Sequence, residues 1–408
     1  MAKQDIVIVS AVRTPIGKTF AKRYKIHFLN TVFQFNSKKG ALNGGLASIP
    51  SHQLGSAVIK ELLARSKVDA GDITEVILGQ VLSCGQGQNP ARQAAINAGL
   101  PDTVCAMGVN MVCGSGLKSV ALAAQAIEND EIVIAGGQES MSQSVHFVHL
   151  RNGIKFGDAG LQDSMISDGL TDAFDKCHMG ITAENVAKEF NISRAEQDTF
   201  ALESQKKTEV AINNHDFDAE MVPIEVKSRK GSVLVTKDEH PKPETNEAAL
   251  AKLRTAFIKD NGTVTAGNAS GLNDGAAGVL LMSADQAAKR QLKPMASIVS
   301  WATTGVRPSV MGIGPISAVR KAVEKAHWQL EDVDLFELNE AFAAQSLAVV
   351  KELGVPSEKV NVCGGAIALG HPIGASGDEP LSLSQFIAKL MFSRQTFECL
   401  PNDFRFRF

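Results

Sequence analysis

An α/β protein made of two similar halves, with a further segment inserted between them, is the fold this sequence predicts. Three observations carry the prediction: short apolar strand runs alternate with helical spacing, the later half repeats the grammar of the earlier one, and the residues between them change in composition. The chain has 408 residues, enough for a sizeable core.

Taken in order, Ile6 to Val9 reads as a buried strand, Leu54 to Ser66 as a helix and Asp72 to Gly79 as a second strand. Val109 and Asn110 lead into Cys113, after which Leu117, Val120, Ala121, Ala124 and Ile127 recur at helical spacing. Glu131 to Gly137 is a third strand. Gln143 to Thr265 is richer in His, Lys and Asp, with helices expected over Ile181 to Phe190 and Arg194 to Asn213. A strand from Gly275 to Ser283 then rejoins the first half beside Glu131 to Gly137. Ala296 to Ser300 echoes the opening strand, Asp332 to Asn339 echoes Asp72 to Gly79, and Val360-Asn361 before Cys363 echoes Val109-Asn110 before Cys113. Alternating strands and helices predict a parallel sheet.

The domains expected are therefore 1–142 plus 266–285 as the first half, 143–265 as the inserted domain and 286–377 as the second half, followed by a tail, 378–408. The repeat also measures the chain against itself. Ser10 to Asp72 spans 62 positions where Ser300 to Asp332 spans 32. The surplus falls on residues 21–43, which hold the single Tyr and three Phe, while the tail holds six more of the protein's 19 Phe. Both stretches read as foreign to the parent pattern, as a mistaken gene model or an altered transcript would make them. An mRNA that encodes both without interruption would rule that origin out.

A net charge of −3 with 21% charged residues gives no basic face for nucleic acid. No uninterrupted apolar run reaches membrane-spanning length, and the opening strand pattern is unlike a targeting sequence, so a cytosolic protein without membrane partners is expected. The six cysteines lack metal-ligand spacing, which predicts reduced thiols and no metal site.

One cysteine stands apart. Cys113 sits where an apolar run meets Gly114-Ser115-Gly116 and a helix begins. The free N–H groups and positive dipole end of that helix favour a thiolate. Packing alone does not require glycine on both sides of Ser115, whereas close approach of a substrate to the backbone does. A dinucleotide-binding turn fails at its third small position, which is Ser119. Cys113 is thus the candidate nucleophile.

Cys113-Gly-Ser-Gly, taken with Asn339-Glu-Ala-Phe-Ala343 and Gly364-Gly-Ala-Ile-Ala-Leu-Gly-His-Pro-Ile-Gly-Ala-Ser-Gly377, strongly resembles the thiolases. The resemblance extends over residues 5–20 and 44–377. It implies a thiolase fold, with a duplicated, layered αβαβα core and an inserted loop domain that holds coenzyme A. It also implies a homodimer or homotetramer, a place in lipid metabolism and no permanently bound cofactor, coenzyme A thioesters being the substrates. Cys177-His-Met-Gly180 resembles the acetoacetyl-CoA thiolases, which interconvert two acetyl-CoA with acetoacetyl-CoA and CoA. Mapped residue by residue, the resemblance makes Cys113 the acetyl carrier and His371 its base, and has Asn339 fix a water in an oxyanion hole. His178, Met179, Met311 and Phe342 would line the acyl and pantetheine tunnel, and Phe257, Ala266 and Ser270 would touch coenzyme A.

The resemblance also implies a second catalytic cysteine in a Cys-x-Gly turn. After His371 this sequence offers only Cys399, in Phe-Glu-Cys-Leu-Pro. The C-terminal strands of the pattern are likewise replaced. Acetyl transfer to Cys113 is expected to survive, and condensation and thiolysis to be impaired. The alternative is a catalytically deficient acyl-CoA-binding protein of the same fold.

Overall fold

The computed structural model describes residues 5–18, 44–128, 130–229 and 231–375. The tail, the segment 21–43 and Cys399 lie outside these residues.

The first half runs β1 (Ile6–Arg13), β2 (Gly17–Lys18), α1 (Ser51–Ser66), β3 (Glu75–Gly79), α2 (Pro90–Asn97), β4 (Cys105–Val109), α3 (Ser115–Ala126) and β5 (Val133–Ser140). The excursion that follows holds the short pair β6 (His146–Phe147) and β7 (Gln162–Asp163), then α4 (Met179–Glu189) and α5 (Arg194–Asn213). The hairpin of β8 (Ile224–Ser228) and β9 (Gly231–Val235) and the short α6 (Glu247–Ala251) complete it. The chain returns as β10 (Asn273–Ser283) and continues through α7 (Ala284–Lys289), β11 (Ala296–Ile298), α8 (Gly314–Lys325), α9 (Ala343–Leu353) and α10 (Ala366–Leu369).

The main sheet has the order β11-β1-β10-β5-β3-β4, with β2 on β10. It is mixed, not parallel as expected. β3 runs parallel to β4 and β5, but β10 lies antiparallel between β1 and β5. The reason is where the excursion starts and stops. Ser140 closes β5 directly opposite Asp274, so the inserted residues leave and rejoin at one end of the sheet and β10 must run back down it. The anticipated return beside β5 is therefore observed, with the direction reversed.

Two packed faces follow from the alternation of the strands. Val76, Leu78, Ile134, Leu280 and Met282 face Leu54, Val58, Ile59 and Leu62 of α1 and Ala94 of α2. Their neighbours Ile77, Val133, Ala135, Val279 and Leu281 face Val120, Ala123 and Ala124 of α3. Each fully buried Val, Leu, Ile or Met among them contributes about 1.5–3 kcal/mol. Ser119 adds a polar tie, its Oγ lying 2.7 Å from the Gly136 carbonyl and 2.9 Å from the Gly136 N–H.

The second half differs from expectation. Its opening strand, β11, pairs antiparallel with β1 and so joins the first half's sheet. The strand expected at Asp332 to Asn339 is reduced to a single parallel bridge between Phe336 and Val360, supported by Asn361, whose amide spans the Leu338 N–H and carbonyl. A strand needs partners on its flanks, and among the described residues this segment has one short partner only. Lys18 and Gly44 form a closed stem: the Gly44 N–H donates to the Lys18 carbonyl at 2.9 Å, and Glu239 accepts from Lys18 N and Gly45 N. No helix among the described residues is long and apolar enough to cross a membrane.

Candidate active site

The cysteine turn is built by strand, turn and helix in immediate succession. β4 ends at Val109, and Val112 takes φ of +49°, a left-handed conformation that costs a β-branched residue roughly 1–3 kcal/mol. Ser115 holds it there. Its Oγ accepts from Met111 N at 2.9 Å and donates to the Val112 carbonyl at 2.6 Å. Cys113 is thereby set just before Gly114, the N-cap of α3, at the positive dipole end of the helix. The first turn of α3 crosses β3 so closely that a Cβ at Gly79 would lie 2.6 Å from Gly116 N. Cys113 is part-buried against Val81, Leu82, Met141 and Ile373.

From the other side comes the loop after α10. His371, 4% exposed, places Nε2 3.2 Å from Cys113 Sγ. A thiol and an imidazole at that distance can exchange a proton directly. The structure thus brings together the two residues on which acyl chemistry would depend.

Buried carboxylates fasten the loops around this pair. Glu139, fully buried on β5, accepts from Val81 N at 2.9 Å and Leu82 N at 3.3 Å, and its field also includes the Gly374 N–H. Burial pushes its pKa up to about 7 from the ordinary 4.5, against the pull of these N–H groups. Between those pH values the folded protein holds a proton that the unfolded chain has lost, so this residue lowers stability as pH rises from about 4.5 to 7. Glu139→Gln is expected to flatten that part of the stability profile. Urea midpoints measured at pH 5 and pH 7.5 check it, an unchanged difference between wild type and variant being the contrary result.

Glu340 does the same for α10. It accepts from Ser204 Oγ at 2.6 Å, Asn361 Nδ2 at 2.8 Å and Ile367 N at 3.2 Å, and a Cβ at Gly365 would strike its carboxylate. Asn339, beside it, uses its backbone carbonyl to accept from Gln345 Nε2 at 2.9 Å. Its Oδ1 is buried with no protein partner, an acceptor left to a ligand or a water.

A separate group gathers four of the residues that the resemblance assigned to substrate. His178 caps α4, its Nδ1 accepting from Gly180 N at 3.0 Å, and stacks on Phe257 with ring centroids 4.6 Å apart. Burial lowers the His178 basicity, which keeps the ring neutral and able to accept. Phe342 meets Phe257 edge-on at 6.4 Å, and Met179 packs in the same group. Ser270 is attached through its N–H to the Ala341 carbonyl, while Ala266 is exposed on a turn four residues earlier. Met311 lies outside the packed group, on the turn Pro308–Ile313 that Asn185 ties to α4 through the Ser309 carbonyl.

Sequence reasoning missed Gly180 and Glu139 as working residues. A Cβ at Gly180 would fall 2.1 Å from the Phe257 ring, so only glycine both caps with its N–H and admits the stack. Gly180 closes the Cys177-His-Met-Gly180 motif, and that position was the available signal.

The family model described as "Thiolase, N-terminal domain" matches residues 32–285, and the one described as "Thiolase, C-terminal domain" matches 292–390. The chain belongs to the thiolase family and has the thiolase fold. Among its relatives, a rat protein named "Acetyl-CoA acetyltransferase, cytosolic" is 52% identical over 375 residues, covering 91% of this chain and 89% of that protein. The "Acetyl-CoA acetyltransferase" of Rhizobium meliloti is 52% identical over 391 residues, covering 95% and 93%. The crystal structure of the Bacillus anthracis acetyl-CoA acetyltransferase superposes with a TM-score of 0.84 at 41% identity, covering 92% of this chain and 90% of that one.

Proposed function

We propose that this chain is an acetyl-CoA C-acetyltransferase, interconverting two acetyl-CoA with acetoacetyl-CoA and CoA through an acetyl-Cys113 intermediate. The observation that carries the reading is the 3.2 Å approach of His371 Nε2 to Cys113 Sγ at the N-terminus of α3. His371 takes the thiol proton as sulfur attacks the thioester carbonyl. The carbon–sulfur bond to coenzyme A breaks, and the imidazolium returns the proton to the departing thiolate. Asn339 Oδ1, buried and unpartnered by protein, is suited to fixing a water beside the developing oxyanion. The group of His178, Met179, Phe257 and Phe342 supplies an apolar wall for the acyl and pantetheine chain, with Ser270, Ala266 and Met311 at its margins. The names of the relatives support the same acyl group and carrier.

Condensation needs a second base to take a proton from the methyl group of the other acetyl-CoA. The resemblance assigns that step to a Cys-x-Gly turn, which does not follow His371 in this sequence. In this reading the acetyl-transfer half-reaction runs ahead of carbon–carbon bond formation. A homodimer or homotetramer is proposed on the family resemblance, and the cytosol as its setting on the name of the rat relative.

The test is to incubate the full chain with acetyl-CoA and weigh the Cys113 peptide. An acetylated Cys113 is the expected result. Folded protein that binds acetyl-CoA and stays unmodified would replace this reading with that of an acyl-CoA-binding protein.

A further inference from the structure

His371 can serve Cys113 only if its backbone is fixed, and the fixing residue is Asn273 at the start of β10. Asn273 is fully buried. Its Oδ1 accepts from His371 N at 2.8 Å, and its Nδ2 donates to the Gly17 carbonyl at 3.0 Å. Those two partners settle the orientation of the amide, since one can only donate and the other only accept. The preceding Gly370 has φ of +113°, and a Cβ there would lie 2.7 Å from the Asn273 amide atoms. The loop is thus pressed onto Asn273 at the residue before the imidazole.

The second Nδ2 hydrogen faces His240 Nδ1 at 3.5 Å. That nitrogen accepts only from a neutral ring. His240 is 7% exposed, and burial, followed by the charges of Lys242 and Lys18, pushes its basicity down to about 3. Its ring also hydrogen-bonds the backbone of Ile367 on α10. A Cβ at Gly271 would lie 2.2 Å from His240 Cε1, so the neighbouring turn is shaped around the ring.

We propose that Asn273 and His240 are positioning residues for the acyl-transfer step: together they clamp both ends of the Ile367–His371 segment and so hold the imidazole against Cys113. Neither touches the reacting atoms. The proposal rests on the acetyl-transfer reading, and its content is that the pair sets where His371 Nε2 sits. A misplacement of about 1 Å can cost on the order of 10²-fold in rate.

The experiment uses the full chain with Asn273→Ala, His240→Phe and His240→Gln. Two readouts are taken: the rate of Cys113 acetylation across acetyl-CoA concentrations, and the pH dependence of Cys113 alkylation by iodoacetamide without substrate. Asn273→Ala is expected to lower the maximal acetylation rate roughly 10²-fold, with half-saturation changed less than about twofold, and to slow the alkylation of Cys113, whose proton the displaced imidazole no longer takes. His240→Phe fills the space without the polar contacts and shifts both readouts the same way. His240→Gln, whose amide can accept from Asn273 and donate to Ile367, restores them. Folded Asn273→Ala and His240→Phe proteins that keep the wild-type rate and profile would overturn the clamp, as would a His240→Gln protein no better than His240→Phe. If Asn273→Ala does not fold, the two His240 variants decide alone. Wild-type protein that is never acetylated would count against the acetyl-transfer reading, and the alkylation profiles would still judge the clamp.

Discussion

Alanine at position 113 is expected to abolish acetyl capture, with a loss of acetyl-CoA turnover of roughly 10⁶-fold on the scale seen when other enzymes lose a covalent nucleophile. His371→Ala is expected to cost less, about 10²–10⁴-fold, because a free thiol retains some thiolate at neutral pH. The geometry also says how the two combine. With Sγ and Nε2 3.2 Å apart, they act as one unit, so the double variant should be no slower than Cys113→Ala alone. Release of CoA from acetyl-CoA, followed with peptide mass analysis, reads all three. Acetyl transfer that persists in Cys113→Ala would move the nucleophile elsewhere in the chain.

The largest effect on stability is expected at Arg13. Its guanidinium is 2% exposed and holds Glu220 at 2.6 Å and Asp238 at 2.7 and 2.9 Å, while lying 5.3 Å over the Phe217 ring. These contacts fasten β1 to the excursion between β5 and β10. Burial pushes the Glu220 carboxyl up to about 8 even with the arginine in place. Arg13→Met keeps apolar bulk but leaves two carboxylates, 2% and 3% exposed, without their cation. Breaking a buried pair in this way costs about 3–5 kcal/mol. The loss should shrink as pH falls, because a protonated Glu220 no longer needs the charge. Urea unfolding at pH 8 and pH 5 tests both the size and the sign. A loss under about 1 kcal/mol at pH 8, the range of an exposed pair, would show that the excursion is anchored elsewhere.

What could be read in advance was whatever is written locally. The apolar alternation of β3, β5 and β10 marks buried strands whatever their direction, and the run from Val109 through Cys113 into α3 is a strand–turn–helix contained in one short stretch. Strand direction is not local. Nothing in the periodicity of residues 273–283 distinguishes a strand running up the sheet from one running down, because closure of the excursion beside Ser140 decides it. Asp332 to Asn339 carries strand spacing but meets a single short partner among the described residues, so the pattern yields one bridge. The candidate nucleophile announced itself through its glycines, whereas its support did not. Asn273 meets His371 across 98 residues and His240 across 33, and His240 follows Asp238 and Glu239 in a stretch that reads as solvated. The family likeness assigned His178 and Phe257 to substrate separately, and their stack was not anticipated, since neither residue's surroundings suggest the other.

The stem at Lys18 and Gly44 makes the molecule a natural host. Chain ends one hydrogen bond apart impose almost no strain on whatever is spliced between them, and lengthening the splice adds only about 0.6 kcal/mol per doubling. A fluorescent or affinity module grafted there would be carried on the rim of the main sheet. The port is not a neutral one, because Lys18 pairs with Asn273 across β2 and β10. Cargo that pulls on the stem would tug on the residue that accepts from the His371 N–H.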